Sequence, residues 1–521
     1  PPYLKARRWF GGKARGIRNL AVIEILPIMD AQAPAFLTLV RAETSDGDAE
    51  TYALPLMYAP GERAERRLRD HPHAAIARLR FKDREEEGIV FDASVDEGFA
   101  ESLLVGIARH RRREGTGGEL VAFRTHEFKK IRGLGEGRLS SSVLKAEQNN
   151  TSILFGDRFI LKLFRRVQPG VNPELEIGRF LTERRFKQIP PVAGAIEYRR
   201  EREEPMTLAI LQQFIPNEGD AWMYTLDRLT HFFQQAVAAR TKIESLSLSP
   251  SPLLDLVERD LPPAVAEIIG PYLESARLLG QRTGEMHLAL ASDPDRPGFA
   301  PEPFSKLYQR SLYQSMRNLT GRVFQLLRQR LRTLPEGTRA EVQKVLDQEG
   351  KILDRFRAMI DLKITGMRIR CHGEYHLGQV LYTGKDFVII DFEGEPARPM
   401  SERRIKRSPL RDVAGMLRSF HHAAYSAFFS QRDSGLIRPE DLAFLESSAQ
   451  FWRVWVSAAF LKSYLEAAMK GDFIPKTRKE LQALLDIYLL EKAVYELGVE
   501  RDNRPEWIRI SIPAIQQLIR A

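Results

Sequence analysis

Between Arg370 and Pro396 the chain reads RCHGEYHLGQVLYTGKDFVIIDFEGEP, in which acids, an amide and imidazoles recur at short intervals. His372 is followed by a carboxylate at Glu374, an amide at Gln379, and Asp391 at the end of the apolar run Phe387 to Ile390. Two carboxylates separated by a short strand pair suit phosphoryl transfer, a reaction that needs little covalent help but much positioning and charge neutralisation. Asp391, at a strand end, suits Mg²⁺, and Glu374 suits the acceptor hydroxyl. Gln379 supplies a neutral hard oxygen that leaves Mg²⁺ most of its octahedral shell of waters and phosphate oxygens. Glu393 offers a further oxygen.

The order of these groups parallels the HRDxxxxN loop and DFG triplet of protein kinases, which makes His372 and Glu374 the candidate catalytic-loop residues. Two zinc readings compete. HGEYH is neither HExxH nor HxxEH, and Gly373 with the β-rich sequence after it argues against a helix that would bring both histidines to one face. The HxE of a nucleobase deaminase needs a PCxxC partner, which a chain with Cys371 as its single cysteine cannot supply. His372 and His376 are therefore expected to brace the loop by hydrogen bonds.

A nucleotide half must lie upstream, with a lysine on a strand and a glutamate on the next helix. Ser152 to Phe155, the turn Gly156–Asp157, and Phe159 to Phe164 read as two antiparallel strands, with Lys162 between the apolar Leu161 and Leu163. After the breakers Pro169 to Pro173 comes a helical pattern in which Glu176 is the expected partner of Lys162. No GxGxxG precedes the lysine strand. GlyLeuGlyGluGlyArg at 133–138 is glycine-rich, but the turn Gln148 to Ser152 joins the strands before Lys162. Asn149, Asn150, Thr151 and Ser152 are thus the candidate phosphate-facing residues, an ordinary surface hairpin being the alternative. Gln212 to Asp220, broken by Pro216 and Gly219, reads as a hinge whose backbone at Gln212 and Phe214 would meet the adenine.

RWFGGKAR near the start, the runs around Lys162, GVNPELEIGRFL, QQFIPNEGDAWMYTLD, HLGQVL, DFEGEPARP and ERRIKRSPLRDVAGMLRSF together resemble the maltokinases, in the aminoglycoside phosphotransferase branch of the protein-kinase-like fold. The resemblance covers about Trp9 to Tyr425. It implies ATP-dependent phosphorylation of maltose to maltose 1-phosphate, which feeds α-glucan synthesis. It also implies an amino-terminal cap on the nucleotide lobe, and covalent or non-covalent association with trehalose synthase. His376, Arg411 and Asp412 become candidates to line the acceptor-sugar site, although a capping role in the helix after Ser408 and Pro409 also explains Asp412. The family usually has aspartate where this chain has Glu374. One extra methylene moves the carboxylate by roughly one bond length, and misplacement on the order of 1 Å can cost about a hundredfold in rate. Another hydroxyl phosphotransferase, or a catalytically impaired partner module of a trehalose synthase, are the alternatives.

These groups need a scaffold, and 521 residues exceed one hydrophobic core. The expected fold is α+β and bilobal: a cap over residues 1–125, a β-rich nucleotide lobe over 126–215, and a mainly helical lobe over 216–521. Helical stripes run through Trp222 to Leu246, Ala276 to Leu290, Leu307 to Leu331 and Arg339 to Asp361. His287, Phe451, Trp452 and Trp455 read as core. Apolar residues make up 43%, with no run long enough for a membrane span. The start lacks the apolar core of a signal peptide, and one cysteine fits a reducing cytoplasm. The net charge of +10 raises nucleic acid as a partner, with Arg111 to Arg113, Arg403, Arg404, Lys406 and Arg407 as patches. Interspersed acids make these solvated faces instead, so neither nucleic acid nor membrane is expected as a partner.

Overall fold

The computed structural model describes residues 2–12, 16–29, 34–45, 49–80, 87–133, 137–144, 149–246, 252–334, 336–395, 398–435, 438–503 and 508–520, without the side chains of 499–503 and 509. The chain forms two compact units, residues 1–216 with 397–403, and residues 217–396 with 404–521. The first is rich in sheet and the second in helix, which is the expected bilobal class.

The first unit holds two antiparallel sheets. One runs Ile17–Met29, Ala35–Thr44, Ala49–Pro60, Glu87–Asp92, Ala75–Arg80, and the other Arg112–Glu114, Glu119–Arg124, Val192–Arg199, Met206–Gln213, Phe159–Phe164, Asn150–Phe155, Ser141–Val143. In the lysine strand Phe159, Leu161 and Leu163 are buried, whereas Ile160 and Lys162 on the opposite face are half-buried. That period of two fixes which face carries the ammonium. The strand pairs Lys162 with Ser152 on one side and Ile210 on the other. The second sheet already includes Arg112–Arg124, so it begins before residue 125. A single core runs through both sheets, with Leu26, Leu37 and Phe91 of the first packed into the same cluster as Leu161, Ile196 and Ile210 of the second. Trp9 and Phe10 are buried on the other face of the first sheet beside Tyr52, so this part of the RWFGG run is structural.

Immediately after the lysine strand the chain leaves one sheet for the other, as Arg166–Val167 pairs with Thr51 and Tyr52. At the crossing, Arg165 is buried and forms a 2.8 Å ion pair with Asp92, which also accepts from Tyr3 Oη at 2.5 Å. Its Nε donates to Thr151 Oγ1 at 2.8 Å, tying the cap-like sheet to the strand opposite Lys162. A buried pair is costly to break on one side, about 3–5 kcal/mol, because it strands a desolvated charge. Asp92→Ala is therefore expected to lower the apparent melting temperature more than the double change Asp92→Ala with Arg165→Met. An equal or smaller fall in the single variant, measured by thermal unfolding, contradicts the pairing.

The second unit packs helices around a small two-stranded ladder, Val380–Tyr382 against Phe387–Ile389. Its main helices are Ala221–Ala238, Tyr272–Leu290, Lys306–Arg330, Leu410–Asp433, Leu442–Ala468 and Arg478–Asn503. Two expected helices are each broken into two. The stripe from Trp222 ends at Ala238 and restarts at Arg240, and that from Arg339 divides into Glu336–Leu346 and Glu349–Asp361. Apolar periodicity continues across both breaks, so the pattern alone does not register them. Phe451, Trp452 and Trp455 are buried in Leu442–Ala468, as core residues. No helix among the described residues is long and apolar enough to cross a membrane.

Candidate active site

In the first unit, the strand Phe159–Phe164 presents Lys162, and the structure pairs its Nζ with Glu174 Oε2 at 2.7 Å. The expected partner was Glu176, and this is a correction. Asn172 caps the helix Pro173–Glu183 through its side chain, which accepts from the Glu174 N–H, and Pro173 occupies the first helical position. Glu174 thus lies in the first turn, buried, with the lysine in reach. Two residues further along a helix turn the side chain by about 200°, so Glu176 addresses the opposite face. The Asn-Pro start was the signal that could have placed the pair.

The candidate phosphate-facing turn is described only in part. Gln148 lies outside the described residues, as do 134–136 of the glycine-rich run. Asn149 is exposed, and Asn150, Thr151 and Ser152 begin the strand beside Lys162. Thr151 already accepts the Arg165 hydrogen bond. Gln212 is the penultimate residue of the neighbouring strand, and Phe214 N–H bonds Arg158 O at 2.9 Å, which fixes the backbone at the proposed adenine edge.

In the second unit Asp412 anchors the start of the HGEYH loop. One carboxylate oxygen accepts from His372 N–H at 2.7 Å, the other from Gly373 N–H at 2.9 Å. His287 Nε2 lies 3.1 Å from the first, and His287 Nδ1 lies 3.1 Å from Tyr464 Oη. Because a carboxylate only accepts, the His287 proton sits on Nε2. Burial alone would raise the Asp412 pKa; the hydrogen bond and charge of His287, with His372 and the Gly373 N–H, hold it below the usual carboxylate range. Asp412 is therefore a buried anchor of the catalytic loop and does not line a sugar site. Helix capping does not explain it either, since Ser408 Oγ serves the Leu410 N–H.

His372 is also enclosed. Its Nδ1 accepts from Glu374 N–H at 3.4 Å, so Nε2 donates to Ile390 O at 2.9 Å, the residue before Asp391. Burial pushes the imidazole pKa down. With both nitrogens occupied, His372 ties the loop to the strand end that precedes Asp391 and is a positioning residue, which corrects its assignment as catalytic. His376 behaves similarly: Nδ1 accepts from Gly378 N–H at 3.1 Å, and burial first, then Lys492 and His372, push its pKa down to about 3. Its ring is tied into the turn that carries Gln379.

Two glycines are required by this packing. Gly373 has φ +90°, a conformation L side chains rarely adopt. A Cβ on Gly415 would meet Tyr375 O at 2.5 Å, so only glycine lets the helix Leu410–Asp433 approach the loop. Arg411, from the same helix, donates to Gly373 O at 3.3 Å and to Glu395 at 3.0 Å, and lies 3.5 Å from Glu491. It too braces the loop.

What the anchors leave directed elsewhere are the expected reacting groups. Gln379 and Ile390 are bonded through the backbone at 3.0 Å, which brings the amide residue and the Asp391 strand end together. Asp391 has φ +67°, in the left-handed region that Asp tolerates better than most residues and that functional sites retain. Asp391, Gln379 and Glu393 are half-buried, and their oxygens are the hard donors that suit Mg²⁺. Glu374 is the perturbed acid. Burial pushes its pKa up to about 7, Lys492 opposes this, and Asp391, Glu395 and Glu393 add to it. Lys406 and Arg407, read from sequence as part of a basic surface run, are buried, Lys406 against Glu302 at 2.7 Å.

Comparison with known proteins accords with this geometry. Residues 3–96 match the model for the maltokinase N-terminal cap domain, and residues 140–399 that for the phosphotransferase enzyme family. A glucosamine kinase of Mycolicibacterium smegmatis is 23% identical over 286 residues, 54% of this chain and 59% of that protein. One of Streptacidiphilus jiangxiensis is 22% identical over 327 residues, 62% of this chain and 60% of that protein. The matches thus span less than two thirds of the length of these curated relatives. Among solved structures, a glucosamine kinase in complex with glucosamine, ADP and inorganic phosphate aligns with TM-score 0.62 at 18% identity, over 99% of this chain and 96% of that one. A second glucosamine kinase crystal form gives 0.60 at 17% identity, over 96% and 91%. With a kinase-like fold and both models matched, residues 140–399 belong to the phosphotransferase enzyme family and residues 3–96 form a maltokinase-type N-terminal cap domain.

Proposed function

We propose that the protein transfers the γ-phosphoryl group of ATP to a sugar hydroxyl, with maltose as acceptor and maltose 1-phosphate as product. The observation that carries this is the braced HGEYH loop: Asp412, His372 and Arg411 are used up in holding it, and Glu374 is left with a carboxyl poised near neutrality. The Lys162–Glu174 pair in the other unit is of the kind that grips nucleotide phosphates in kinases. Asp391, Gln379 and Glu393 would hold Mg²⁺, which when bound neutralises the charge developing on the phosphate oxygens.

The acceptor oxygen attacks the γ-phosphorus as the bond to the β–γ bridging oxygen breaks, so ADP leaves and the hydroxyl proton passes to Glu374. That proton acceptor must be ionised. Because its pKa is raised to about 7, kcat/KM is expected to fall as pH drops through about 7 and to level above it. A profile flat from pH 5 to 8 under a rate-limiting chemical step speaks against Glu374 as the base. Supporting the maltose assignment are the cap-domain match and the family motifs; the named relatives favour glucosamine as the competing acceptor. Incubation with γ-labelled ATP and a panel of maltose, glucosamine, choline and an aminoglycoside decides. Label on maltose supports the proposal, and label on choline or the aminoglycoside but not maltose rejects it. Association with trehalose synthase rests on the family resemblance.

A further inference from the structure

Within the second unit, helix Tyr272–Leu290 touches the catalytic segment at three points. His287 secures Asp412, and Thr283 Oγ1 lies 2.9 Å from the hydroxyl of Tyr375 in the HGEYH loop. The third point, Arg282, reaches the other half of the segment. Its Nε and Nη2 donate to the two carboxylate oxygens of Asp386, each at 2.9 Å, while Nη1 donates to Glu285 at 2.8 Å on the same helix. Such a bidentate pair fixes direction as well as distance. The helix is tied in turn to Leu442–Ala468, through His287 Nδ1 and Tyr464 Oη.

Asp386 closes the turn between the strands Val380–Tyr382 and Phe387–Ile389. Its carbonyl accepts from Thr383 N–H at 3.0 Å, and its Oδ1 accepts from Phe387 N–H at 2.8 Å. The ladder runs from there through three paired positions to the Gln379–Ile390 bond, about 10 Å away at about 3.3 Å per residue. A two-stranded ladder is marginal by itself, so its tilt is set by what holds it. Tyr382 is held by backbone bonds with Glu218 and Gly219, at 2.8 and 2.9 Å. The strand that leads to Asp391 is held by His372 at its far end and by Arg282 at its start.

We propose that Arg282 is a positioning residue for Gln379 and Asp391: its fork on Asp386 sets the tilt of the ladder and so the spacing of the oxygens assigned above to Mg²⁺, an assignment on which this inference rests. The two side chains are 20% and 28% exposed, so their pairing adds less to stability than a buried pair would. Its main effect is therefore on geometry.

The test uses Arg282→Met, which keeps the aliphatic stem, Arg282→Lys, which keeps the charge without the fork, and Arg282→Met combined with Asp386→Asn. Titration calorimetry of ATP at graded Mg²⁺ gives one readout. In Arg282→Met the Mg²⁺ concentration giving half of its effect on ATP affinity should rise about tenfold, with metal-free ATP affinity held within about twofold. Arg282→Lys should fall between, and the double variant should be no worse than Arg282→Met. The other readout needs no metal: amide hydrogen exchange should quicken over residues 387–391 and stay unchanged over 372–376, which Asp412 holds. Should Arg282→Met fail to fold, Asp386→Asn carries the same comparison. An unchanged Mg²⁺ requirement, or unchanged exchange over 387–391, leaves the pair a structural bridge and overturns the proposal, whatever the melting temperature does. A wild type whose ATP binding ignores Mg²⁺ is a different result: it overturns the metal assignment, and this inference with it.

Discussion

Asp391→Asn is expected to reduce turnover by about a thousandfold while leaving the fold intact. Asparagine keeps the volume and the tolerance of left-handed backbone at φ +67°, so the strand end and its Ile390–Gln379 bond persist. What disappears is one negative charge at the proposed Mg²⁺ site. Charge stabilisation of several kcal/mol corresponds to about three decades in rate at about 1.4 kcal/mol per decade. A variant with the wild-type circular dichroism spectrum and undiminished transfer removes Asp391 from the metal site.

The second large effect is on the loop itself. Asp412→Ala should both inactivate and destabilise the protein, because it strands the buried His372 N–H, the half-buried Gly373 N–H and the His287 N–H in one step. Each unsatisfied donor costs about 1–3 kcal/mol, and loss of a charged acceptor lies at the upper end. A fall of about 10 °C in the apparent melting temperature is expected. Asp412→Asn keeps one accepting oxygen and should recover part of the stability but little activity. If alanine leaves melting unchanged, Asp412 is not the anchor of the loop.

The two halves of the site differed in legibility for a physical reason. Lys162 was readable because period-two alternation in Phe159–Phe164 fixes its face locally, and Asp391 because an apolar run ends at it. The Lys162 partner was displaced by two residues because helix phase depends on the cap, and Asn172 and Pro173 were read as breakers and not as the start of the helix. Asp412 could not be placed at all from local pattern. Its role is set by contacts with residues 372 and 373, some forty positions away, while helix-start chemistry offered an adequate local explanation. His287 read correctly as a satisfied core histidine, yet nothing on its own helix reveals that it secures Asp412.

The central proposal is that Lys162 holds nucleotide phosphates and Asp391 holds Mg²⁺, and titration calorimetry of ATP with and without Mg²⁺ tests it most directly. Wild type should bind ATP more tightly with Mg²⁺. Lys162→Ala should weaken binding but keep the Mg²⁺ dependence, and Asp391→Asn should lose that dependence. Wild-type affinity in Lys162→Ala, or full Mg²⁺ dependence in Asp391→Asn, contradicts the account.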